Sequence, residues 1–186
     1  MKDKNLFRGL LLLAAFVIWT ILVMTVDVKA IGPEGSAVGL ATLNDWFHQL
    51  TGVRMDLYTI TDWLGLVPVA VCIGFGFMGL AQWIKRHSLR QVDGDIILLG
   101  VYFVIVIAGY LLFEIIPINY RPILIEGRLE ASYPSSTTLL VLSVMPALVF
   151  QMQQRAKYRG LRVAVIMLTV TFTVFMVAGR LFAGVH

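Results

Sequence analysis

Residues 96–118 read IILLGVYFVIVIAGYLLFEIIPI, and this run decides the fold class. It contains a single charged residue, Glu114, and a helix needs roughly 20 apolar residues of this kind to cross the hydrocarbon core of a bilayer. Further apolar runs reach or approach this length at residues 6–26, 63–84, 136–152 and 161–185. The sequence therefore predicts an all-α integral membrane protein, a helical bundle with five transmembrane helices in a single membrane domain.

The composition excludes a soluble globular domain. Hydrophobic residues make up 59% of the 186 residues and charged residues 14%, and the mean hydropathy is +0.84. The net charge of +4 does not indicate nucleic acid as a partner, because the basic residues lie in short segments between the apolar runs. Cys72 is the only cysteine, so an intrachain disulfide is excluded. No arrangement of residues is typical of a metal site, and we expect neither a metal nor another cofactor.

The basic residues indicate how the chain is oriented in the membrane. Ten of the fifteen Lys and Arg residues fall at the N-terminus and at residues 85–90 and 155–162, which simple alternation of the spans places on one side. Because cytoplasmic loops carry an excess of Lys and Arg, we expect the N-terminus in the cytoplasm, with the plasma membrane of a bacterium as the location. Residues 27–62, residues 119–134 and the C-terminus then lie on the extracytoplasmic side.

The extracytoplasmic loop at residues 27–62 carries a short amphipathic pattern. Its stretch TLNDWFHQL begins with Thr42, a candidate N-cap, and presents one apolar side. This pattern predicts a short helix that lies in the membrane interface. An aromatic anchor with no further role is the alternative, and His48 is interpreted as an exposed interfacial residue rather than as a ligand. The apolar side consists of Leu43, Trp46, Phe47 and Leu50.

Three polar clusters lie at the ends of apolar runs that the predicted topology places outside. Arginine offers a planar fork that matches two phosphate oxygens, and free N–H groups at a helix N-terminus favour an anion. Proline followed by hydroxyl residues is typical of a helix start. Together the clusters predict a phosphate-binding site, whereas the serines alone would only cap a helix and an arginine alone would reach for the interface. The clusters are Arg121-Pro122, the run Pro134-Ser135-Ser136-Thr137, and Arg180 with His186 six residues later.

The order and spacing of these residues resemble the three motifs of the type 2 phosphatidic acid phosphatase and vanadium haloperoxidase superfamily, in its membrane lipid phosphatase branch. The resemblance covers residues 114–186, a phosphatase-like motif region, and implies an outward-facing site. It further implies that two arginines bind phosphate oxygens, that serine hydroxyl and backbone N–H groups assist them, and that a histidine attacks phosphorus. The matching positions are Arg121 and Arg180, Ser135 and Ser136, and His186.

Two departures from the family pattern change the chemistry of the site. Thr137 stands where the family has the histidine that protonates the leaving group. Because threonine is not an acid near neutral pH, this change would slow the reaction by roughly 100- to 10,000-fold. Glu114 stands where the first motif has lysine. We expect Glu114 to pair with Arg121 or Arg180, since an unpaired carboxylate at that depth is costly, with a substitute acid as the alternative.

Other departures concern the third motif and the hairpin before the second. Gly179 replaces the serine that precedes the motif arginine. The sequence ends at His186, before the aspartate and the sixth membrane helix that the resemblance implies, so we expect it to be a piece of a longer chain. Arg128 is flanked by Glu126 and Glu130 and is interpreted as part of a solvated ion pair, with a third phosphate ligand as the alternative.

These residues predict a membrane phosphatase that hydrolyses a lipid phosphate or a polyprenyl diphosphate at the extracytoplasmic face, through His186 as nucleophile. The alternative is a non-catalytic membrane protein that binds a phospholipid or another anion and lacks the general acid. A small-solute transporter is less favoured, because the polar residues cluster at one face rather than near the midplane. A homo-oligomer is left open.

Overall fold

The computed structural model describes residues 2–185 of the chain, with side chains described from Lys4 onward. This part of the chain forms helices and isolated β-bridges without a β-strand, which confirms the all-α prediction. The α-helices are α1 (Lys2–Thr25), α2 (Ala41–Thr51), α3 (Met55–Leu64), α4 (Leu66–Arg86), α5 (Gly94–Ile115), α6 (Ser136–Arg155) and α7 (Arg159–Phe182).

Five helical segments are long and apolar enough to cross a membrane, as predicted. Their outer faces are apolar and exposed, as at Leu98 and Leu168, because these faces contact lipid rather than water. The chain is therefore a membrane helical bundle. The segments are Lys4–Thr25, Met55–Arg86, Gly94–Ile115, Ser136–Arg155 and Arg159–Phe182.

The second membrane segment begins eight residues before the predicted start at residue 63. Gly65 keeps a helical backbone (φ −59°, ψ −18°), and its N–H donates to the carbonyl oxygens of Thr61 and Asp62, so α3 continues into α4. The apolar run predicted too late a start for this helix because two charged residues, Asp56 and Asp62, lie in its first turns. The extra turns matter, since they carry Tyr58 and Asp62 to the functional site described below.

Helix α6 lies at the centre of the bundle and packs against α4, α5 and α7. Its residues Val141, Val144 and Met145 form the buried core with apolar side chains from the three neighbours. Helix α1 is peripheral by contrast. The Phe16 ring stacks on Tyr133 at 6.4 Å between centroids, and the α1 residue Thr20 forms a hydrogen bond to the Tyr133 hydroxyl.

One end of the bundle, called the α2 end below, holds α2, residues 116–135 and the C-terminal end of α7. Asn119 links the loop before α2 to residues 116–135, because its side chain accepts a hydrogen bond from the Gly39 N–H at 2.7 Å and donates one to the Ser132 hydroxyl at 2.9 Å. Residues 119–132 form a hairpin closed by bridges at Tyr120–Ala131 and Ile125–Arg128. The α2 end is therefore an ordered cap on the bundle.

The opposite end is held by Asp93, which lies between α4 and α5. Its carboxylate accepts hydrogen bonds from Arg86, Arg155 and Gln82 at 2.9 to 3.0 Å, which joins α4, α5 and α6. The hydrogen bond from Arg86, followed by those from Arg155 and Gln82, lowers the pKa of Asp93 from 3.8 to about 2.

Asp93→Asn is expected to lower the Tm at pH 6, and the difference from the original protein should shrink as the pH falls from 4 to 2. A carboxyl whose pKa is lower in the folded state stabilises the fold above its ordinary pKa, and the contribution is lost as pH falls through about 2. Thermal unfolding in detergent micelles across this range measures the effect. Glu126→Gln is the control, since Glu126 is exposed and forms no ion pair among the described residues. A pH-independent difference for Asp93→Asn would contradict this account.

Candidate functional site

Two arginines predicted to bind phosphate lie buried beside one tyrosine at the α2 end. Arg121 is 5% exposed and Arg180 is 2% exposed. Their guanidinium carbons lie 5.3 Å and 4.5 Å from the centroid of the Tyr58 ring, a distance at which a cation is attracted to the π face. The structure therefore brings both motif arginines together, and it does so through a residue of α3 that the sequence did not single out.

The charges of the two arginines are only partly compensated. Arg121 Nη2 lies 3.3 Å from a carboxylate oxygen of Glu130, and Arg180 Nη1 lies 3.6 Å from one of Asp62, whose side chain is 56% exposed. An exposed carboxylate is well solvated and neutralises a buried cation weakly. Positive charge consequently remains available for a further anion.

The predicted pairing of Glu114 with either arginine is wrong. Glu114 is exposed in the last turn of α5 and forms no ion pair among the described residues. The hairpin explains the difference, because the N–H of Arg121 donates to the carbonyl oxygen of Glu130 across it at 3.1 Å. This pairing sets the Glu130 side chain beside the guanidinium of Arg121, so a residue nine positions away replaces the expected partner.

Four polar side-chain atoms are buried without a hydrogen-bond partner in the described part of the chain. One is Ser36 Oγ in the loop before α2, and the other three are Arg121 Nη1, Arg180 Nε and Ser135 Oγ. A buried polar group left unpaired costs about 1–3 kcal/mol, and more when it is charged. Arg180 and Ser135 line one cavity, so an anion bound there would satisfy the Arg180 and Ser135 atoms, and this pair favours an anion site.

A cavity of about 260 Å³ lies beside Arg180 and Ser135. Helix α2 supplies one wall through Phe47 and His48, and Thr138 of α6 adds a hydroxyl. The apolar side chains of Phe47 and of Val177 and Leu181 in α7 line the remainder. The cavity therefore combines a cationic, hydroxyl-lined end with an apolar wall, which suits the headgroup and adjoining chain of an amphiphile.

Helix α6 begins at Ser136, which confirms the predicted helix start. Ser135 has an extended backbone in the N-cap position, but its hydroxyl does not cap the helix. Ser135 lines the cavity, whereas Ser136 does not. Thr137 is buried and faces the α3–α4 junction, since a Cβ atom placed on Gly65 would lie 3.3 Å from its methyl carbon. The residue at the general-acid position therefore lies away from the cavity.

The positions of two other residues of the motif region, Gly179 and Arg128, follow from packing and from exposure. Gly179 lies against Thr61 of α3, and a Cβ atom at residue 179 would come within 2.6 Å of the Thr61 methyl carbon. The serine of the family motif would thus collide with α3. Arg128 is exposed at the hairpin tip and forms no ion pair with Glu126 or Glu130 in the described residues. The predicted ion pair of Arg128 is therefore wrong for the described residues, and Arg128 does not line the cavity.

Helix α2 forms as predicted, although its N-cap differs from the prediction. The helix begins at Ala41, and Thr42 is not its N-cap; instead, the Asp27 carboxylate accepts a hydrogen bond from the Thr42 N–H at 2.6 Å. Hydrogen bonds from Thr42 and then Lys29 lower the pKa of Asp27 from 3.8 to about 2. Leu43, Trp46 and Leu50 stay exposed, while the Phe47 ring lies 6.3 Å from that of Phe182.

His48 is half-buried rather than exposed, contrary to the prediction. Its Nδ1 lies 3.2 Å from the carbonyl oxygen of Gly184, and its ring lines the cavity. The sequence carries a signal for this placement. Asn44 and His48 are four residues apart and so share a face of α2, and both line the cavity.

The C-terminal end of α7 is held firmly under the α2–α3 turn. The N–H of Arg54 donates to the carbonyl oxygen of Ala183 at 3.0 Å, and Gly184 (φ +68°) packs directly on the carbonyl oxygen of Gly52. Ala183 and Val185 are fully buried. His186, the predicted nucleophile, lies outside the described residues.

The structure thus brings Arg180 and Ser135 to one cavity and Arg121 to the adjoining tyrosine, whereas Thr137, Glu114 and Arg128 lie elsewhere. The residues that the sequence did not select, His48 and Tyr58, come from α2 and α3. No protein-family model, curated protein or solved structure matched this chain, so the resemblance to the phosphatase superfamily rests on the motif residues alone.

Proposed function

We propose that this protein binds the phosphate group of a membrane lipid in the cavity at the α2 end and hydrolyses it. The observation that supports this most is Arg180, which is 2% exposed and lines the cavity together with Ser135. The Nε of Arg180 and the hydroxyl of Ser135 have no hydrogen-bond partner among the described residues. An arginine fork, a hydroxyl and the free N–H groups at the start of α6 are groups that bind phosphate oxygens.

The substrate is an amphiphile, either a lipid monophosphate or a polyprenyl diphosphate, at the extracytoplasmic face of a bacterial plasma membrane. The apolar wall formed by Phe47, Val177 and Leu181 supports a substrate with a hydrocarbon chain over free phosphate. Arg121 lies on the same tyrosine ring as Arg180 and adds positive potential without lining the cavity.

In the proposed reaction a ring nitrogen of His186 attacks phosphorus. The N–P bond forms as the P–O bond to the lipid breaks, and the leaving oxygen keeps the electron pair and takes a proton. Water then attacks phosphorus, breaks the N–P bond and releases inorganic phosphate. Arg180 and the N–H groups of α6 stabilise the charge that develops on the phosphoryl oxygens.

His186→Ala is expected to reduce phosphate release from phosphatidic acid and from a polyprenyl diphosphate to background, because the nucleophile is lost. Phosphate release by the purified protein in detergent micelles measures this. Arg128→Ala, at an exposed arginine outside the cavity, is the control and should keep the original rate. Background release by the unaltered protein would overturn the hydrolytic function.

A second candidate is a non-catalytic protein that binds the lipid phosphate without cleaving it. It is favoured by Thr137, which is buried against Gly65, so the family's position for the proton donor holds no acid and lies away from the cavity. Saturable binding of phosphatidic acid, weakened by Ser135→Ala and accompanied by no phosphate release, would support this candidate over the enzyme.

A further inference from the structure

His48 lies in the wall of the phosphate cavity, on an element that the motifs do not include. It shares this wall with Ser135 and Arg180, and its Nδ1 is 3.2 Å from the carbonyl oxygen of Gly184. Because a carbonyl oxygen can only accept, Nδ1 carries the proton in this hydrogen bond. The nitrogen that gains and loses a proton is therefore Nε2, which has no hydrogen-bond partner in the described part of the chain.

The surroundings of His48 suit proton exchange with water. A second, more polar cavity of about 490 Å³ adjoins this one, and Asn44 and His48 line both cavities. The charged groups around the imidazole are Arg180, which lines the phosphate cavity, and Lys29 and Asp45, which line the second cavity. Arginine remains protonated at all physiological pH values, so among these groups on the phosphate side only His48 can transfer a proton near neutral pH.

We propose that His48 is the proton donor of this site and takes the role that Thr137 cannot fill. This inference rests on the proposed hydrolysis. As His186 attacks and the P–O bond to the lipid breaks, the leaving oxygen takes the proton from Nε2 of His48. In the second step the attacking water returns a proton to Nε2, the O–P bond forms and the N–P bond breaks, so His48 ends in its initial protonated state.

A purely structural role for His48 makes a different prediction. In that case its only task is to anchor α2 on α7 through the hydrogen bond to Gly184, and glutamine can make the same hydrogen bond with its amide N–H. Glutamine cannot transfer a proton near neutral pH. His48→Gln therefore separates anchoring from acid catalysis.

His48→Gln is expected to slow phosphate release from phosphatidic acid by about 100-fold or more, because an alkoxide leaves poorly without a proton. The same variant should slow p-nitrophenyl phosphate hydrolysis by less than about 10-fold, because a nitrophenolate leaves without protonation. All assays use the full chain in detergent micelles, with thermal unfolding to verify folding.

Gln49→Ala is the control, because Gln49 is exposed on the same helix and bonds only to Asp45 in the described residues. Equal losses on the two substrates, or no loss on either, would overturn the donor role while leaving the hydrolytic function intact. Background release by the unaltered protein from both substrates would overturn the hydrolytic function, and the donor role with it, so the two failures are distinguishable. A His48→Gln variant that unfolds is replaced by His48→Asn, for which the same leaving-group contrast is required.

Discussion

Arg180→Met is expected to slow phosphate release by about 100- to 1000-fold while leaving the bundle about as stable as the original protein. Arg180 is 2% exposed, its Nε has no partner among the described residues, and its counter-ion Asp62 lies 3.6 Å away and is largely solvated. Replacing both members of a buried ion pair with apolar side chains is often neutral or stabilising, and here only the arginine is buried, so its replacement alone should be close to neutral. Asp62 loses little, because water already solvates it.

The loss of activity should be large and the loss of stability small, and both follow from the incomplete pairing of the buried Arg180. An arginine that is only partly paired in a buried site is unfavourable for stability, as residues of binding sites often are. Removing one such group from a site that stabilises developing charge slows a reaction by about 100- to 1000-fold. Phosphate release and thermal unfolding, measured on the same micelle preparation, test both halves of this expectation.

Arg121→Met is the matched comparison for Arg180→Met. Arg121 is similarly buried and contacts the same Tyr58 ring, but it bonds to Glu130 and to the carbonyl oxygen of Ala131 and does not line the cavity. Its replacement leaves Glu130 without a partner and loosens the hairpin, so it should cost stability and reduce turnover less. The proposed site would be wrong if Arg180→Met lowered the Tm strongly and kept the original rate.

The membrane helices were predictable from the sequence because each is a long apolar run, and hydropathy depends only on local composition. The start of the second span was not, because Asp56 and Asp62 interrupt the apolar pattern of α3 although the helix continues. Those same turns carry Tyr58, which joins the two arginines. A charge at a helix end is thus compatible with a membrane span when it reaches the polar end of the bundle.

The meeting of Arg180 and Ser135 at one cavity was predictable, since both stand at span ends where polar residues are rare. The partners of the arginines were not, because Glu130 reaches Arg121 through hairpin pairing that no local pattern specifies. The position of His48 was missed for a related reason. The sequence defines an amphipathic helix at α2, but which flank of that helix faces the bundle depends on the contacts of Phe47 with Phe182.

Gly184→Ala is expected to destabilise the α2 end by about 2–4 kcal/mol. This is the largest loss of stability that we expect from a substitution that leaves every functional side chain in place. Gly184 adopts φ +68°, which is unfavourable for alanine, and an added Cβ atom would collide with the carbonyl oxygen of Gly52. Relief of this collision would separate α7 from the α2–α3 turn, which breaks the hydrogen bonds from Arg54 to Ala183 and from His48 to Gly184. Thermal unfolding in micelles measures the loss.

Two other glycines separate the causes of this loss. Gly127 has a similar φ of +76° at the hairpin tip but open space around it, so Gly127→Ala should cost only the backbone term of about 1–2 kcal/mol. Gly100 is helical and also faces open space, so Gly100→Ala should be neutral or stabilising by up to about 1 kcal/mol. Equal losses for Gly184→Ala and Gly127→Ala would show that close packing of α7 on Gly52 does not constrain this end. A larger loss at Gly184, accompanied by slower phosphate release, would instead tie the position of α7 under α2 to the geometry of the phosphate cavity.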